Sequence, residues 1–82
     1  MATPTIHING TPGADLFNQY TQAFMAVEAA IDAVTAASPH MRDYYPQAPE
    51  EWAEARTDHE DRLRDLNRIA IQLKALAIHC MP

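Results

Sequence analysis

Apolar residues recur at alternating steps of three and four through the first half of the chain: Phe17, Tyr20, Phe24, Val27, Ile31 and Val34. That spacing is a coiled-coil seam along one face of an α-helix, and Leu16 widens its first turn. Much of the remaining surface is alanine, including Ala23, Ala26, Ala29, Ala30, Ala33, Ala36 and Ala37. Alanine favours the helix intrinsically, and its short side chain lets a second helix come close. The predicted helix covers about 14–37. Ser38-Pro39 ends it, because the residue before a proline is pushed out of helical geometry. Ser38 is also placed to cap a short new turn with Pro39 in first position.

A second helix is predicted over about 49–80, opening at Pro49, with Glu50 and Glu51 complementing the helix dipole. Trp52, Ala55, His59, Leu63 and Leu66 trace an inner stripe through its charged first half. Beyond Leu66 the stripe continues as Ile69, Leu73, Leu76 and Cys80, while Ile71 and Ile78 fall to another side. Asp58–Arg62 and Glu60–Arg64 stand at i,i+4 in the favourable acid-before-base order. The first seam is expected to pack on Leu63, Leu66, Ala70, Leu73 and Ala77, with Trp52 and the tyrosines of the connection closing one end. Ahead of the helices, Thr5-Ile6-His7-Ile8 alternates and Asn9-Gly10 signals a turn. Residues 1–12 therefore read as an extended arm, which either lies across the helices or pairs with another copy. The fold class is all-α: an antiparallel two-helix hairpin over 13–82, joined by a proline-stiffened connection at 38–48.

Length makes this hairpin short of core. Eighty-two residues form one domain, and two helices bury little without a staple. Cys80 is the only cysteine, so no intrachain disulfide is available. A self-partner would supply the missing burial, and a homo-oligomeric helical bundle is expected. Its interface is assigned to Ile71 and Ile78 on the second helix and to the alanine-rich flank of the first, Ala26 and Ala30. The first helix carries only Asp15, Glu28 and Asp32 as charges, as suits an element with contacts on more than one side.

Net charge is −5, from six basic and eleven acidic residues. That disfavours generic nucleic-acid binding, which draws its affinity from neutralised phosphates, and it disfavours anionic membrane surfaces. No signal-peptide pattern opens the sequence and no apolar run reaches the ~20 residues that span a bilayer. The expected location is the cytoplasm.

Candidate chemistry is sparse. His7, His40, His59, His79 and Cys80 show no close-spaced ligand pair, so neither a metal nor another cofactor is expected. His59 reads as a packed or half-exposed helix residue, and the acids of the second helix as a solvated face. Ser38, the only serine, is accounted for by its cap; no enzyme is expected. The connection holds more than a connection needs: His40, Arg42, Asp43, Tyr44, Tyr45 and Gln47. Tyrosine and arginine are common anchors of binding sites, and loops on rigid frames often carry function. Arg42 could fork to a carboxylate or phosphate while a tyrosine stacks on a base or apolar group. Alternatively, both tyrosines plug the open end of the hairpin and Arg42 pairs with Asp43 or an acid of the second helix.

The opening Ile6-His7-Ile8-Asn9-Gly10-Thr11, the run Pro39-His40-Met41-Arg42-Asp43-Tyr44-Tyr45-Pro46-Gln47, and the spacing Arg62-Leu63-x-x-Leu66 carry a resemblance. Together they resemble a group of short phage- and prophage-encoded helical proteins of proteobacteria. The resemblance covers nearly the whole chain, and Arg42-Asp43-Tyr44-Tyr45-Pro46-Gln47 is its most specific part. It implies a phage accessory protein; the connection from His40 to Gln47 on its rigid frame makes that a non-catalytic protein acting by binding, for instance an inhibitor of host defence. The partner would be a host protein or a small anionic ligand such as a signalling nucleotide. In size and helical architecture the chain also resembles phage proteins that sequester cyclic nucleotides, although no ligand-binding residue maps across. The alternative implied role is a structural or assembly component of a phage particle.

Overall fold

The computed structural model describes residues 1–82. Helix α1 spans Gly13–Ala36 and helix α2 spans Pro49–His79, with a 3-10 turn at Met41–Asp43 between them and no strand. Both helices thus fall within one residue of their predicted bounds. The two pack antiparallel as a rod of 61 × 20 × 15 Å. Pro12 leads into α1, its carbonyl accepting from the N–H groups of Asp15 and Leu16. Pro49 takes the first position of α2 behind Ala48; a proline there forfeits no helical hydrogen bond and holds φ ready for the turn.

The seams meet as their spacing dictates. Phe17, Tyr20, Phe24, Val27, Ile31 and Val34 are half-buried, as are Trp52, Leu63, Leu66 and Leu73 opposite them. Full burial is confined to Ala70, Ala77 and Cys80. One helix can cover only one side of its neighbour, so each large seam residue keeps a flank in water. The accessible surface is 5998 Å², about 55% buried against the roughly 13,300 Å² expected of an unfolded 9.2 kDa chain. A domain of only 60 residues ordinarily buries about 60%.

The arm lies across the helix ends. A turn closed by the Gly10 N–H donating to the His7 carbonyl (3.1 Å) folds it back. The Ile6 side chain comes against Gly13, which also borders the Cys80 carbonyl. His79 Nε2 lies 2.7 Å from the Pro4 carbonyl; a carbonyl only accepts, so this nitrogen carries the proton and donates. The contact joins positions 75 residues apart and straps the arm to the end of α2.

Two local expectations need correction. Neither Asp58–Arg62 nor Glu60–Arg64 forms; the ion pair present is Arg64–Asp61 at 2.9 Å, one turn apart at i,i+3 and exposed. The shorter aspartate keeps its carboxylate near the backbone, within reach of the same guanidinium. Such an exposed pair contributes at most about 1 kcal/mol. Ser38 does not cap the 3-10 turn, which starts at Met41 behind His40 without a side-chain cap. Its hydroxyl instead donates back to the Thr35 carbonyl at 2.7 Å, closing the end of α1.

Candidate functional site

The connection closes one end of the rod and shapes a groove of about 450 Å³ against the first half of α2. Four backbone hydrogen bonds hold the segment: Asp43 N–H to His40, Tyr44 and Tyr45 N–H to Met41, and Gln47 N–H to Tyr44. Pro39, Pro46 and Pro49 restrict the backbone further. The Tyr44 ring turns inward to meet Trp52, with ring centres 5.7 Å apart and planes tilted by 45°. The Arg56 guanidinium lies 5.9 Å from the Trp52 ring centre on the helix. Tyr44 therefore closes the hairpin as a plug, while Tyr45 does not: it is 75% exposed. The sharp turn around Met41–Asp43 sends consecutive side chains to different sides, so only one tyrosine can face the tryptophan.

Ser38 and His59 form the cross-connection that spacing did not reveal. Their Oγ and Nε2 atoms lie 3.0 Å apart across 21 residues. The single hydroxyl proton of Ser38 already goes to Thr35, so His59 Nε2–H donates to Ser38 Oγ. In that tautomer the imidazole cannot take a proton from the serine through Nε2. The pair thus ties the end of α1 to α2 rather than activating a nucleophile. No cluster of three or more His, Cys, Asp or Glu side chains is arranged to hold a metal ion.

Of the six connection residues singled out above, the groove gathers Asp43 and Tyr44. His40, Arg42, Tyr45 and Gln47 are exposed and lie outside the groove's lining. Arg42 forms no ion pair with Asp43 or with α2. The rest of the groove is dominated by Glu51, Glu54 and Asp58 from α2, with His59 and Arg62 on its wall. Those acids are exposed, as a solvated face requires; what spacing could not supply was the connection bordering them to form a groove.

The four residues assigned to an oligomer interface do not lie together. At 100° per residue, Ala26 and Ala30 sit about 90–130° to one side of the α1 seam. Ile71 and Ile78 sit about 110–130° off the α2 seam, in the opposite rotational sense. In facing antiparallel helices, offsets of opposite sense fall on opposite broad faces of the hairpin. The grooves agree: Ala37, Asp58 and Arg62 border one side, Arg56 and Glu60 the other. Ile69 and Leu76 lie on the same face as Ala26 and Ala30, hereafter the alanine face.

No helix is long and apolar enough to cross a membrane. No protein-family model, curated protein or solved structure matches the chain.

Proposed function

We propose that this protein is a non-catalytic binding module whose working end is the connection, and that its target is another protein. One observation carries the reading: Met41, Arg42 and Tyr45 all stand exposed on a single hydrogen-bonded turn. Met41 is 59% exposed. These are side chains that dominate contact energetics when a partner covers them, and a preformed turn reduces the ordering cost of binding. The resemblance to phage accessory proteins supplies the setting, an inhibitor of host defence acting in the host cytoplasm. Between a host protein and a signalling nucleotide, the acids of the adjoining groove favour the protein, because phosphates there would face Asp43, Glu51, Glu54 and Asp58.

The test compares the full chain with Tyr45→Ala and Arg42→Ala as bait in host lysate, with native mass spectrometry of what is retained. A discrete host subunit held by the parent chain and weakened about tenfold or more by either substitution supports the reading. Equal retention by all three removes it. A structural role in a phage particle is the second reading, favoured by the rod shape and its exposed faces. Presence of the protein in purified particles would promote it.

A further inference from the structure

We propose that the face bearing Ile71 and Ile78 is the contact surface for a second copy of this chain, related by a twofold axis that runs along the rod. Charge is segregated on this face. On α1, Glu28, Asp32 and Met25 sit about 70–130° off the seam, in the same rotational sense as the two isoleucines. Helix α1 contains no Lys, Arg or His to offset these acids. On α2 the face carries Arg64 and Lys74 beside Ile71 and Ile78, with Glu60 among them and Asp61 at its edge. The groove acids Glu51, Glu54 and Asp58 lie on the alanine face. Met25, Ile71 and Ile78 are each more than half exposed. The face therefore pairs an acidic strip with a basic one, and each strip has an apolar centre.

Symmetry fixes which residues meet. An axis along the rod leaves every residue at its own height and lays α1 of one copy over α2 of the other. An axis across the rod stacks α1 on α1 instead. Two contacts set the heights: Gly13 borders the Cys80 carbonyl, and Ser38 reaches His59 at 3.0 Å. Equal rise between them brings Asp32 level with Arg64, and Met25 level with Ile71 to within about one residue. With the axis along the rod, Met25 packs on the partner's Ile71 and Asp32 faces the partner's Arg64. Asp61 takes only Nη1 of Arg64, which leaves the rest of the guanidinium fork for a second carboxylate. Beside these, Glu28 comes level with the partner's Asn67 and Thr21 with the partner's Lys74, and the axis makes every contact twice. Stacking α1 on α1 would set Glu28 and Asp32 against the same acids with no base to answer them, so charge selects the first arrangement. This pairing does not depend on what the connection binds; it sets both connections at one end of a four-helix bundle.

Sedimentation analysis of the full chain should give twice 9.2 kDa. Asp32→Arg and Arg64→Glu should each halve that mass at the same concentration, and the chain carrying both exchanges should recover it. Ala26→Arg, on the alanine face, should leave the mass unchanged. Arginine and glutamate are good helix formers, and circular dichroism checks that each variant remains helical. Should a single exchange unfold the chain, cross-linking reads the pairing without a change of charge. A short bismaleimide should join chains carrying Met25→Cys to chains carrying Ile71→Cys, and should join neither to itself. A monomer at high micromolar concentration, a double exchange that stays monomeric, a mass halved by Ala26→Arg, or Met25→Cys chains joined chiefly to one another would overturn the proposal.

Discussion

Ser38 holds two partners with one hydroxyl, donating to Thr35 and accepting from His59. It is a small clamp at the point where α1 must stop and the connection begin. Ser38→Ala removes both bonds and leaves His59 Nε2–H facing a methyl group. A loss of about 1 kcal/mol is expected, read as a melting temperature several degrees lower. The two tyrosines separate more sharply. Tyr44→Ala forfeits the Trp52 contact and half-buried ring surface, roughly 2 kcal/mol, whereas Tyr45→Ala should leave the melting temperature within a degree. Equal effects would mean that both rings close the fold. Gly13 offers an opposite change. Its φ is negative, and an added Cβ would meet the Ile6 methyl at 3.5 Å and the Cys80 carbonyl at 3.7 Å, ordinary contacts. Gly13→Ala should therefore stabilise by about 0.4–1 kcal/mol, and a destabilised variant would show that the arm is more tightly seated.

The helices were legible because their information is periodic and local: seam spacing, the Ser38-Pro39 stop and the Pro49 start. Leu63, Leu66, Ala70, Leu73 and Ala77 could be matched to the α1 seam on the same basis. What spacing left open was set by contacts distant in sequence. The His79–Pro4 strap and the Ser38–His59 clamp involve single polar atoms with no pattern to announce them. The groove became visible only once the fold placed Asp43 and Tyr44 beside Glu51, Glu54 and Asp58. Ile71 and Ile78, 70% and 54% exposed, were identifiable as unpaired, but their side of the hairpin follows from antiparallel geometry. The arm yields a prediction of its own. Cys80 is 3% exposed at the corner where Ile6, Gly13 and the end of α2 meet. Removing residues 1–7 should raise the rate of thiol modification at Cys80 severalfold with little change in helicity. An unchanged rate would assign the protection of Cys80 to the helices alone.

The molecule as a whole is a frame with two separate exposed regions, the connection at one end and the broad faces along its length. Its radius of gyration, 18.2 Å, compares with about 12 Å for a compact chain of 82 residues. A hairpin so thinly cored should gain stability from self-association, so its melting temperature should climb with protein concentration. A concentration-independent melt would mean that the single seam suffices.

The strap between Pro4 and His79 has a practical consequence. It holds both chain termini at the end of the rod away from the connection. A fusion partner, affinity tag or surface tether can therefore be attached at either terminus without crowding Met41, Arg42 and Tyr45. Immobilised by one end, the protein presents its turn outward by the rod's length, like a probe on a handle.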